Sequence, residues 1–326
     1  MKITKIMLAA IVLSGVFQSC TKDEDANMNL GSDSQQAEPT QRHCETMNVL
    51  NRQLAEDPTL AIRMEQMERV IEEYASGQRL LPDGTIEIPV VVNVIYRTAA
   101  ENVSQTQIQS QIDILNKDFG ATNTDYNNTP SIFQSVRSGN TGIRFVLDQV
   151  VRRSTTKTSW RTNDDMKKAS KGGIDPTSPS TKMNMWVCNL SNSILGYAQF
   201  PGGNPLTDGV VIDNNCLGVS SSNFSTFNKG RTATHEVGHW MGLRHIWGDQ
   251  TCGSDLVSDT PTHNTANYGC PSYPHYSTCS GSPVEMTMNY MDYTDDACMY
   301  MFTVGQKNRM NSFFQPGAGR NSFAQP

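Results

Sequence analysis

The eleven residues from His235 to His245, reading HEVGHWMGLRH, hold three of the chain's six histidines and one glutamate. His235 and His239 stand four apart, so on a helix their imidazoles share one face and can reach a single metal ion. Glu236 lies one step round the same helix, placed to take a proton from a water molecule beside that metal. Gly242 can adopt the positive φ that ends a helix abruptly, which lets the chain turn back and offer His245 as a third ligand. Three imidazoles with a fourth position left open describe a catalytic zinc site rather than a closed structural one. The chemistry such a site performs is hydrolysis: zinc polarises a carbonyl, and Glu236 carries the proton from water to the leaving group.

These residues need a frame, and the chain upstream supplies the pattern of one. IEIPVVVNVIY (86 to 96), GIRFVLDQVVR (142 to 152), MNMWVCNL (183 to 190) and DGVVID (208 to 213) are strand-like apolar runs. SQTQIQSQIDILNKDFG (104 to 120) has the spacing of an amphipathic helix. LGYAQFP (195 to 201) reads as an edge strand closed by Pro201, to which a substrate peptide can add in extended form. Strand, helix, strand order predicts an α/β (α+β) domain around a twisted, mostly parallel five-stranded sheet. After His245 the pattern dissolves into loops rich in Gly, Pro, Asp and Cys, until a short helix near residues 305 to 314. Before the sheet, Asp57 and Pro58 announce a helix whose stripe of Leu60, Met64, Met67, Ile71 and Tyr74 is one-sided, with Gly77 to end it.

The long histidine motif is the metzincin signature, and downstream lies TMNYMDYTDDACMYMFTVGQ (287 to 306), where such enzymes carry a methionine turn. The chain resembles the pappalysin family, in its cytophagalysin-like bacterial branch. The resemblance rests on HEVGHWMGLRHIWGD, SDTP (258 to 261), NYMDY (289 to 293) and FTVGQ (302 to 306). It implies a zinc endopeptidase, with Met291 in the methionine turn and Tyr293 reaching toward the metal to stabilise an oxyanion. It implies disulfides Cys252 to Cys279 and Cys270 to Cys298. It also implies that Cys44, in RHC, blocks the zinc as a thiolate, making residues 42–80 an inhibitory pro-segment released by a cut near Arg79. Relatives are calcium-dependent, so Asp255, Asp259 and the Thr260 hydroxyl become candidate calcium ligands. Some relatives cleave before basic residues through an acid shortly after the methionine turn. Asp295 and Asp296 are nearby, but Ala297 stands just before Cys298, and the resemblance leaves basic specificity open.

Composition adds the setting. Lys2 and Lys5 precede an apolar run too short to span a bilayer, so residues 1–19 read as a secretory signal. The run ends in FQSC, which makes Cys20 a candidate for lipidation. Residues 20–41 read as a polar tether, and 81–326 as the catalytic domain. The net charge of −6 becomes −8 without Lys2 and Lys5, which argues against a nucleic-acid partner. The expected partners are extended peptides, with membrane contact only through the lipid; nothing indicates an oligomer. Seven cysteines follow Cys20; in an exported chain that odd number leaves one thiol beside three disulfides. Cys188 and Cys216 end two strand-like runs and make the third candidate pair. The alternative to an exported protease is a silent surface adhesin or peptide-binding protein on the same frame; it requires a lost ligand or glutamate, and all are present.

Overall fold

The computed structural model describes residues 37–76 and 85–324. The signal, Cys20, most of the tether and the segment around Arg79 lie outside the described residues. The five expected strands form one sheet: β1 (Ile86–Tyr96), β2 (Ile143–Ser154), β3 (Met183–Cys188), β4 (Gly196–Ala198) and β5 (Val210–Asp213), in the order β2-β1-β3-β5-β4. All neighbours pair in parallel except β4, which runs antiparallel to β5 at one edge.

Alternation of side chains sorts the strands' residues between two cores. Val90, Val92 and Val94 of β1, Met185 and Val187 of β3, and Val210 and Ile212 of β5 face a large core. That core is closed by α3 (Gln105–Phe119), α4 (Arg231–Trp240) and α5 (Val304–Ser312). Trp186 and Cys188 of β3 and Val211 of β5 point the other way, into a second cluster with Trp160, Met166 and Tyr197. The Ser104 side chain caps α3 by accepting from the Gln107 N–H, and its stripe of Ile108, Ile112, Leu115 and Phe119 is buried. A reciprocal capping box of Thr303 and Gln306 starts α5.

Two helices precede the sheet. The capped helix is α2 (Thr59–Ser76); its Met67 and Ile71 pack on Phe313. Before it lies α1 (Thr46–Glu56), which was not expected, because its inward face includes the polar Thr46 and Gln53 beside Val49 and Leu50.

In the loop-rich part, Cys252 is bonded to Cys279 and Cys270 to Cys298. The expected Cys188–Cys216 bond is absent, and both are buried thiols. The reason is placement: Cys188, at the end of β3, belongs to the cluster on one face of the sheet, and Cys216, in the 3-10 turn after β5, to the core on the other.

Candidate metal centre and active site

Every residue of α4 is buried, which holds the helix in one position against the sheet. Gly238 lies against the methionine turn: a Cβ there would stand 2.5 Å from Met291 Sδ. After α4 the chain turns at Gly242, with φ 86°. A Cβ there would also meet the Phe313 ring at 1.9 Å, so glycine is required twice over. The turn lets the Leu243 carbonyl accept from His239 Nδ1 at 2.7 Å. His235 Nδ1 meets the Tyr290 carbonyl at 2.7 Å, and His245 Nδ1 meets Asp249 Oδ1 at 2.5 Å.

With each Nδ1–H given to an oxygen, all three Nε2 atoms are left as lone pairs. They face one another: His239 Nε2 lies 3.2 Å from His235 Nε2 and 3.0 Å from His245 Nε2. Three buried lone pairs at that separation repel unless a cation lies between them. A tetrahedral zinc with bonds of about 2.05 Å sets its ligand nitrogens about 3.3 Å apart, so this donor set fits zinc. Burial, then the neighbouring imidazoles, pushes His235 and His239 well below the usual histidine range, which keeps them neutral and able to ligate. His245 stacks on Trp247 with ring centres 4.4 Å apart.

The fourth donor is Cys44. Its Sγ and the three imidazole nitrogens all lie within 4.8 Å of one another. The segment that carries it lies along the free edge of β4. The Leu195 N–H donates to the His43 carbonyl and the Glu45 N–H to the Gly196 carbonyl, while the Ala198 N–H donates to Thr46 Oγ1. The direction is parallel to β4. A sheet edge that a peptide could join is thus joined by the chain's own N-terminal segment.

Glu236 sits beneath this segment. Its Oε2 accepts from Thr46 Oγ1 at 2.9 Å and from Cys44 Sγ at 3.4 Å. Burial pushes its carboxyl up to about 7. Tyr293 closes the other side, its hydroxyl donating to the Cys44 carbonyl at 3.1 Å. The phenol therefore reaches a main-chain carbonyl next to the metal ligands, where an oxyanion donor must work.

Two residues of the site were not singled out in the sequence as partners. Arg42 is buried, with one nitrogen 2.7 Å from Asp296 Oδ1, another 3.1 Å from Thr232 Oγ1, and its Nε donating to the Thr294 carbonyl. The acid that faces a basic side chain is thus Asp296, one residue before the position of Ala297 where the resemblance directs attention. Its other oxygen accepts the Lys229 and Arg231 N–H groups, which fixes the carboxylate at the start of α4. The signal for it was the Arg-x-Cys spacing of residues 42 to 44.

The candidate calcium ligands are engaged otherwise. Asp255 accepts from Thr260 Oγ1 and the Val257 N–H, and Asp259 from Thr303 Oγ1 and the Gly305 N–H at the start of α5.

With this geometry in view, similarity to known proteins is specific. The sequence profile of the peptidase family described as pregnancy-associated plasma protein-A matches residues 179–315. An extracellular metalloprotease of Arthroderma benhamiae is 32% identical over 235 residues, covering 69% of this chain and 76% of that one. A second, from Verticillium alfalfae, is 32% identical over 239 residues, covering 69% and 78%. Among solved structures, a promirolysin mutant of Tannerella forsythia is 41% identical with TM-score 0.79, covering 87% of this chain and 97% of its own. Mature mirolysin of the same organism, in complex with a cleaved peptide, is 45% identical with TM-score 0.72, covering 74% and 97%.

Proposed function

The chain belongs to the pappalysin family of zinc metalloproteases, and from that premise we propose an exported endopeptidase held latent by its own residues 42–80. The observation that carries this reading is the meeting of Cys44 Sγ with the three imidazole nitrogens. Its support from similarity is that promirolysin matches 87% of the chain and mature mirolysin 74%. The relatives named as extracellular metalloproteases support export, with Cys20 proposed as a lipid anchor that tethers the enzyme to the outer membrane or cell surface.

His235, His239 and His245 would hold the zinc, which supplies Lewis-acid polarisation of the scissile carbonyl and the attacking water. Glu236, whose carboxylate lies under the Cys44–Thr46 segment that covers the cleft, takes the proton of that water and returns it to the leaving amine. Tyr293 donates to the oxygen on which charge develops, as it now donates to the Cys44 carbonyl. An extended substrate takes the place of residues 43 to 46 on the β4 edge. Calcium at Asp255, Asp259 and Thr260 forms no part of this reading: the two carboxylates accept hydrogen bonds within the chain, and the Thr260 hydroxyl donates to Asp255.

The test uses the full-length protein on a quenched-fluorescence peptide library before and after a protease cut near Arg79. Activity is expected only after the cut, lost to a chelator and regained with zinc. Equal activity before and after overturns the latency, and activity indifferent to the chelator overturns the metal.

The Arg42 pocket adds a specificity. A buried carboxylate with a carbonyl and a hydroxyl beside it selects a guanidinium, so cleavage next to arginine is expected. Asp296→Asn should lower the kcat/KM ratio between matched peptides with arginine and with glutamine in that pocket by about 30-fold, or about 2 kcal/mol. An unchanged ratio places the specificity elsewhere.

A further inference from the structure

We infer that Asp164, with the carbonyl of Thr162, is a second receptor for a basic side chain of the substrate, on the side of the metal centre away from Asp296. The inference rests on the reading above, in which residues 42–80 leave the cleft and a peptide follows.

The receptor is now filled by the chain itself. Arg52, on α1, places one guanidinium nitrogen 2.5 Å from Asp164 Oδ2 and 3.3 Å from the Thr162 carbonyl. Its other terminal nitrogen turns back to Glu56 of the same helix. The arrangement repeats that of Arg42, where a carboxylate and a backbone carbonyl also accept from one guanidinium.

Asp164 is built to receive rather than merely placed nearby. Its two oxygens have separate tasks. Oδ1 is held from below by the Tyr197 hydroxyl at 3.0 Å and by Lys167 Nζ at 2.9 Å, both buried. Oδ2 faces Arg52 alone among the described residues. Burial opposes ionisation of this carboxyl, but Lys167 and Arg52 outweigh it and hold it below the usual carboxylate range. Lys167 belongs to the catalytic part and stays when Arg52 goes, so the carboxylate remains charged with Oδ2 exposed.

Its place relative to the scissile bond follows from β4. Cys44, beside the metal, bridges to Gly196, and Gln53, next to Arg52, donates through Nε2 to Gln199 Oε1 at 2.8 Å. Gly196 to Gln199 is three residues, about 10 Å of extended chain. A peptide lying along this edge therefore brings its third or fourth residue from the scissile bond to Asp164. Both acceptors take from a single nitrogen of Arg52, so the receptor is matched to a cationic side chain long enough to reach it, arginine or lysine.

The experiment uses the matured enzyme and peptides with arginine fixed in the Asp296 pocket. A single arginine, lysine or glutamine is moved through the second to fifth positions on the other side of the scissile bond. Arginine at the third or fourth position is expected to raise kcat/KM about fivefold over glutamine, mainly through KM and less at high salt. Asp164→Asn should remove that gain while the arginine preference of the Asp296 pocket remains; asparagine suits the φ of 60° at this position. The positional scan on unaltered enzyme stands even if that variant folds poorly. An enzyme that cuts the series without positional preference, or whose preference survives Asp164→Asn, overturns this inference alone. One that cuts none of the peptides overturns the peptidase reading and this inference with it.

Discussion

Glu236→Ala is expected to leave zinc bound and remove peptidase activity, with kcat falling about 10³-fold in the matured protein. The two effects separate because the side chains do. The imidazoles are oriented by the Tyr290 and Leu243 carbonyls and by Asp249, and none of these bonds involves Glu236. Glu236 is instead the carboxylate beneath the cleft, accepting from Thr46 and Cys44 where water and substrate would enter. Without it no base remains to take the proton of the attacking water or to protonate the leaving amine. Maturation of the variant has to be done with added protease, so that loss of self-processing is not mistaken for loss of catalysis. Metal content by atomic absorption and kcat on one peptide decide the matter. A variant cleaving at the unaltered rate sinks the mechanism, and one that loses its zinc shows that the glutamate has a structural share in the site.

Cys44→Ala should free the full-length protein from latency, raising its activity on the order of 10²-fold to 10³-fold. A four-ligand zinc site worth ~10–16 kcal/mol in total assigns each ligand about 3–4 kcal/mol. The thiol itself is a poor anion in this surrounding: burial, then Glu236, pushes it well above the usual cysteine range. Zinc held by the three imidazoles would reverse that preference, and Cys44 would then bind it as a thiolate. The remaining contacts keep the variant below the fully matured rate. Arg42 stays on Asp296, Arg52 on Asp164, and Glu68 on Arg309 at 2.5 Å. The measurement is initial rate on a short peptide for the full-length variant, the full-length parent and the cut parent. Latency untouched by Cys44→Ala would move the block to the covered β4 edge and to α1 and α2.

What the chain's residues determine alone is what depends on neighbours in sequence. Two histidines four apart share a helix face whatever lies around them, and Gly242 supplies the positive φ that returns His245. Apolar runs marked all five strands, amphipathic spacing marked α3 and the Asp57–Pro58 start marked α2, because periodicity and capping act within a few residues. The tertiary structure decided what depends on how distant elements meet. Arg42 and Asp296 are 254 residues apart, and only the packing of the N-terminal segment against α4 and the loop after Met291 brings them together. The same holds for Thr46, which carries no signal of its own yet bonds both β4 and Glu236. Cys188 and Cys216 end strand-like runs, but β3 turns Cys188 into one core and the 3-10 turn after β5 carries Cys216 into the other. Asp259, a candidate cation ligand by type, accepts from Thr303 Oγ1 and the Gly305 N–H at the start of α5, a contact across 44 residues that only packing makes. Local geometry is set by covalent spacing; pairing is set by which surfaces the two cores press together.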